Sequence, residues 1–131
     1  MKKVFLFACL ALIFAACQES LEDRCAREAK AYTAKNCPTK VEENIILDSL
    51  TFERETHTLH YYYRMAGIAD QEGVLDSVEA RNALKDGLRN TTAMKTYKDN
   101  EYNFTFTYTY FSSKDPKKTL FEATFTKKDY Q

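Results

Sequence analysis

The chain has 131 residues, with 19 Lys and Arg against 19 Asp and Glu and a hydrophobic content of 44%. That length suits one domain with a single core and is too short for two, and the balanced charge argues against the basic face that nucleic-acid binding requires. Nine Tyr and nine Phe, with no Trp and only three Gly, point to a β-rich core.

Lys2 and Lys3 form a basic head, and Val4 to Ala16 form an apolar run that ends in Ala15-Ala16-Cys17. A membrane-spanning helix needs roughly 20 apolar residues, more than this run supplies before Gln18-Glu19. The pattern is that of a secretory signal closed by the lipobox of a bacterial lipoprotein. The two small residues suit a peptidase pocket, and the thiol of Cys17 is the acceptor for a diacylglyceryl group. Phe14 departs from the aliphatic residue usual three positions before the cysteine, and ordinary secretion is the alternative. Residues 1–16 are thus expected to be removed, leaving residues 17–131 as one domain. Loss of Lys2 and Lys3 turns the net charge slightly negative, which argues against electrostatic capture by anionic lipid, so membrane attachment must come from acyl chains. Each buried CH₂ contributes about 0.8 kcal/mol, and two or more chains give stable anchoring. The expected location is the cell envelope, at the outer membrane, with the periplasmic or surface face left open.

Residues 20–36 read as a helix. Ser20 is the cap, Glu22 and Asp23 suit the positive end of the dipole, and Asn36 before Cys37-Pro38 ends it. Leu21, Cys25, Ala29 and Tyr32 form its apolar stripe. From Asn44 the period becomes two: Leu50 and Phe52, then Leu59, Tyr61, Tyr63 and Met65, alternate with polar residues around a turn at Glu55–Thr58, which predicts a β-hairpin. A second helix begins at Asp76, where Glu79 completes the spacing of a capping box and Ala80, Leu84 and Leu88 supply the stripe. The segment Tyr102 to Tyr110 then alternates five aromatics with Asn and Thr, a half-buried strand. A turn at Ser112–Pro116 leads to a returning strand with Phe121, Ala123 and Phe125 inward. The order is α-β-β twice, and the similar helix-to-strand spacing in the two halves hints at an internal duplication. The predicted fold is α+β and two-layered, with tandem α-β-β units giving a four-stranded antiparallel sheet and two helices on one face.

Asn36-Cys37-Pro38, Leu47-Asp48-Ser49-Leu50 and Leu59-x-Tyr61-x-Tyr63, followed by a helix and a second aromatic hairpin, resemble an uncharacterised family of small bacterial envelope proteins over about residues 30–127. The resemblance implies an envelope location and an α+β fold and supplies no activity. Many such sequences end in a cysteine after a Lys/Asp pair, a partner for Cys37; here Tyr130 follows Lys127-Lys128-Asp129. The acidic run Gln18 to Asp23 resembles the surface-export signal of lipoproteins in the Bacteroidetes group, and reads equally as the acidic first turn of a helix. Asp48-Ser49-Leu50 and Asp76-Ser77-Val78 resemble the O-glycosylation acceptor of that group, making Ser49 and Ser77 candidate modification sites, although a cap alone explains Ser77.

Residue chemistry favours no reaction. Cys25, Cys37, His57 and His60 would have to converge at about 2.0–2.3 Å on a zinc ion, yet His57 and His60, if both in strand, face opposite ways. Ser49 lacks a Gly-flanked elbow, and neither histidine has an evident orienting carboxylate. Asp70, Glu72 and Asp76 read as solvated loop charges, and Gly67 and Gly73 do not make a phosphate loop. No enzyme, metal or cofactor is therefore expected. Cys25 and Cys37 are separated by about 18 Å of helix, beyond the roughly 7 Å that a disulfide spans, which predicts two free thiols. The threonine face, with Thr105, Thr107 and Thr109 beside Tyr62 and Arg64, is either the ordinary water-facing side of a sheet or a surface for a glycan or an envelope protein. The functional expectation is a membrane-anchored, non-catalytic binding or assembly module; the alternative is a small inhibitor-type or protective lipoprotein acting on an enzyme or toxin.

Overall fold

The computed structural model describes residues 19–71, 73–91, 95 and 103–131. Residues 1–18, with Cys17 among them, Glu72 and Tyr102 lie outside the described residues. Within them, no helix is long and apolar enough to cross a membrane.

Helix α1 (Leu21–Asn36) starts as its sequence predicts, with the Ser20 hydroxyl accepting from the Asp23 amide at 3.1 Å. Cys25 and Ala29 are buried, but Tyr32 is 41% exposed. The row that docks is Cys25, Ala29 and Thr33. The Thr33 hydroxyl donates to the Leu50 carbonyl and accepts from the Leu50 amide, both at 2.9 Å. The helix thereby satisfies backbone groups at the margin of the sheet, where an open strand edge would otherwise invite pairing with another chain. Its first turn is held by the ion pair of Asp23 with Arg54 and by the contact of Glu22 with the His57 ring.

Five strands follow in the spatial order of the chain: β1 (Thr39–Glu42), β2 (Ile45–Glu53), β3 (Thr58–Met65), β4 (Thr105–Ser112) and β5 (Thr119–Phe125). The expected four-stranded antiparallel sheet is therefore corrected twice. A short first strand pairs with the start of β2, and β3 pairs with β4 in parallel, Thr58 beside Thr105 and Met65 beside Ser112. The reason for the second correction lies in the connection. Between β3 and β4 the chain passes through helix α2 (Ser77–Asn90), and such a crossover returns it to the end of the sheet from which β3 set out. Each hairpin is antiparallel as predicted.

Among the described residues, α1, α2 and the short α3 (Lys127–Tyr130) pack on one face. That face carries Leu59, Met65, Phe106, Phe121, Ala123 and Phe125, all buried, and four tyrosines. Tyr61 stacks on Tyr108 with centroids 4.8 Å apart, and Tyr63 on Tyr110 at 4.6 Å, each pair within 10° of parallel. This is the parallel register seen in side chains, since residues paired across strands share a face. Offset stacking adds about 0.5–1.5 kcal/mol per pair beyond the area buried. Helix α3 closes the bottom of the core. Thr126 and Asp129 form a capping box, the Tyr130 hydroxyl donates to the Phe104 carbonyl at 2.7 Å, and its ring meets Phe106 edge-on.

The inter-helix loop departs from the reading of solvated charge. Asp76 does cap α2, accepting from the amides of Val78 and Glu79 at 3.0 Å. Asp70, in contrast, is only 6% exposed. Its carboxylate accepts from the Lys114 amide at 2.9 Å and also engages Ser112 and Ser113, pinning the β4–β5 turn to the loop. Those bonds, the Ser112 hydroxyl foremost, hold its carboxyl below the usual range. Gly67 occupies a left-handed φ of +55°, and a Cβ there would lie 2.7 Å from the Asn44 side-chain oxygen. Cys25 and Cys37 are both free thiols, the first buried and the second at the end of α1.

Candidate functional site

The helix-free face of the sheet gathers the polar half of each alternating strand. From β3 come His60, Tyr62 and Arg64; from β4, beside them in register, Thr107, Thr109 and Phe111; from β5, Thr124 and Glu122; and from β2, Thr51 and Ser49. The sequence placed Tyr62, Arg64, Thr105, Thr107 and Thr109 on one surface, and the parallel β3–β4 joint brings them together there.

Their surroundings differ from a water-facing sheet. Thr107 is 7% exposed and Thr109 only 2%. Among the described residues no helix covers them. The larger side chains of β3 and β5 flank them instead, closing over a strand of small residues. Thr109 donates to Glu122 Oε2 at 2.6 Å and lies 2.7 Å from His60 Nε2. The other imidazole nitrogen, Nδ1, is 2.8 Å from Glu53 Oε1. A hydroxyl has one proton, so once Thr109 gives it to Glu122 the ring must supply the proton to Thr109. With the Glu53 carboxylate facing Nδ1, the imidazole lies between a carboxylate on one side and, on the other, a hydroxyl that is itself bonded to Glu122. The expectation that neither histidine has an orienting carboxylate is thus overturned. His57 lies 3.2 Å from Glu22, and His60 is seven residues from Glu53 along the chain but beside it across the β2–β3 hairpin.

Beside this relay stands a row of rings. His60 and Tyr62 stack at 3.9 Å, and Tyr62 lies within 5° of parallel to Phe111 at 6.1 Å. Burial among these neighbours pushes the Tyr62 phenol up, partly opposed by its hydrogen bond to Thr51. At the end of the row Arg64 makes a two-pronged pair with Asp48 at 3.0–3.2 Å. Asp48 reaches it because the β2 register shifts between Leu47 and Ser49, an extra residue that re-aims the strand. Asp48 raises the Arg64 pKa through that hydrogen bond.

Of the two candidate modification sites, Ser77 is exposed in the first turn of α2, whereas Ser49 is half-buried mid-strand opposite Tyr62. The four proposed zinc candidates are dispersed: Cys25 sits in the core, Cys37 at the helix end, His57 against the Phe52 and Phe104 rings, and His60 in the relay. Among the described residues no three His, Cys, Asp or Glu side chains are grouped to hold a metal ion.

The family described as a domain of unknown function, DUF8479, matches residues 20–121, from the α1 cap into β5. The chain belongs to DUF8479. The match spans α1, the β2–β3 hairpin, α2 and β4, so the aromatic row of this DUF8479 chain and the Glu53, His60 and Thr109 members of the relay fall inside it, with Glu122 just beyond its end. A crystal structure of a candidate secreted protein from Pseudomonas aeruginosa is similar, with a TM-score of 0.68 at 15% identity, covering 87% of this chain and 100% of that one. At that identity the likeness is one of fold. No curated protein sequence matches the chain significantly.

Proposed function

We propose that this DUF8479 protein is a lipid-anchored component of the bacterial cell envelope and a non-catalytic binding or assembly module. The observation that carries the reading is the basic head, apolar run and Ala15-Ala16-Cys17 ending, set immediately before the fold. Only Gln18 and Glu19 separate the acceptor thiol from Ser20, the α1 cap. At no more than about 3.6 Å per residue, so short a tether holds the α1 end of the sheet against the bilayer. The strands then run away from it and the helix-free face stands sideways, open to a partner. That face suits recognition better than catalysis. Among the described residues its hydroxyls, carboxylates and rings are joined to one another. A glycan or another envelope protein fits such a surface, and the description of the Pseudomonas aeruginosa neighbour as a candidate secreted protein accords with export.

The test has two arms. Metabolic acyl labelling should mark the wild-type protein and vanish for Cys17→Ser; a Cys17→Ser protein that still labels and floats with membranes overturns the anchor. Photo-crosslinkers placed at Thr51 and Thr124, exposed positions on the helix-free face, should capture an envelope component. Adducts formed only from Val78 on α2 would overturn the face assignment, and capture of a hydrolase or toxin would favour the inhibitor reading.

A further inference from the structure

The opposite side of the sheet holds a cleft of about 420 Å³ between α2 and the corner where β1 turns into β2. Its floor is Tyr63, Tyr110 and Phe121, and one wall is the Ala80, Ala83 and Leu84 row of α2. Two alanines in that row keep the helix from filling the space. The far rim carries Glu42, the one charged residue lining the cleft.

The tyrosines are what make this more than a groove. Stacked at 4.6 Å, Tyr63 and Tyr110 are fixed in place, each ring blocking rotation of the other. Neither phenol oxygen is hydrogen-bonded to a described residue, and neither is sealed from water, since Ser113 Oγ is the buried unpaired side-chain atom among the described residues. Burial raises both pKa values, the negative charge of Glu42 adds to the effect, and Tyr110 is pushed up to about 12. Both therefore remain neutral phenols. A ligand entering the cleft strips water from the two phenols and comes up against the rim carboxylate, so polar groups left unpaired oppose its binding. An anion meets only repulsion from Glu42. A plain hydrocarbon leaves all three groups unpaired.

We propose that this cleft binds a small apolar molecule bearing a primary amine. An ammonium has three N–H donors, matching the Glu42 carboxylate and the two phenol oxygens, while the apolar body rests on Phe121 and the alanine row. Such a site agrees with the usual anatomy of small-molecule pockets, apolar walls with a few fixed polar groups. It lies on the helix-bearing side and is independent of the helix-free face and of the lipid anchor.

The experiment titrates the purified full-length protein with phenethylamine, with 2-phenylethanol and with 3-phenylpropionate, following the amide resonances of Ala80 and Ala83. Phenethylamine should bind saturably, phenylethanol at least about tenfold more weakly, a difference of about 1.4 kcal/mol, and phenylpropionate not at all. Glu42→Gln, at an exposed rim position, should weaken phenethylamine by about tenfold or more. Tyr63→Phe and Tyr110→Phe should each weaken it severalfold without moving the thermal midpoint much. Absence of saturable phenethylamine binding, equal affinity for the alcohol, or undiminished binding in Glu42→Gln overturns the proposal.

Discussion

The two sides of β4 bury their residues by different means. On one side Phe106, Tyr108 and Tyr110 lie under helices, against the aromatic residues of β3 and β5 and the ring of Tyr130. On the other, Thr107 and Thr109 are less exposed than Tyr108 and Tyr110, yet their neighbours are the flanking His60, Tyr62, Glu122 and Thr124 of the same sheet. Burial on the first side removes apolar area from water. On the second it costs desolvation of hydroxyls, which hydrogen bonds must offset. Accessibility alone does not separate the two cases; the partners do.

The sharpest test of that contrast is Phe106→Ala, which empties a fully enclosed site between three elements. It should cost about 3–5 kcal/mol in denaturant unfolding, a large share of the 5–15 kcal/mol typical of a domain. Next comes Thr109→Val, which keeps the shape and removes the hydroxyl joining His60 to Glu122. Leaving those groups unpaired should cost about 1–3 kcal/mol, whereas Thr107→Val, whose hydroxyl meets only the exposed Thr124, should cost under about 1 kcal/mol. Equal losses at Thr107 and Thr109 would show that the relay contributes nothing, and a Thr109 loss matching Phe106 would erase the distinction between the faces.

A third effect, confined to acid, comes from the loop that ties the sheet's far end. The Asp70 carboxyl titrates below its ordinary value of 3.8 in the folded protein. Its stabilisation is therefore complete above that value and is lost as the pH falls through the lower folded-state pKa. The wild-type protein should have the higher urea midpoint at pH 7, and the gap to Asp70→Asn should close as the pH is taken below 3.8. A gap that persists there would mean the two proteins differ through the turn's packing.

Much of this molecule is legible in the local pattern. The Ser20 and Asp76 caps, both hairpins and the inward set Phe106, Phe121 and Phe125 follow from spacing alone. What escaped is whatever depends on residues far apart. Strand β1 has one aliphatic side chain, Val41, which is exposed, so no periodicity marks it. Nothing in either hairpin states which of its edges meets the other, and the parallel joint follows only from the path of the crossover. Asp70 looks like any loop acid until the β4–β5 turn arrives beside it. The Glu53–His60 pair was within reach, since a hairpin register predicted from the turn at Glu55–Thr58 places the two together. The Thr126–Asp129 capping box was equally readable at the end of the chain. The relay as a whole was not, because Thr109 and Glu122 join it through β4 and β5.

The parallel joint also bears on how fast the protein reaches this state. Each hairpin closes a short loop, an event of about 1–10 μs. Bringing Thr58 beside Thr105 requires closing the entire crossover, whose entropy must be surrendered before any stacking of Tyr61 on Tyr108 is gained. Folding should thus be limited by the meeting of two preformed halves. In a chevron plot, Thr51→Gly, inside a β2–β3 hairpin already formed when the halves meet, should slow refolding with little change in unfolding, while Tyr108→Leu, at the joint itself, should also speed unfolding. A chain exported unfolded would spend that waiting time as two separate units, each with half of the tyrosine stack facing water.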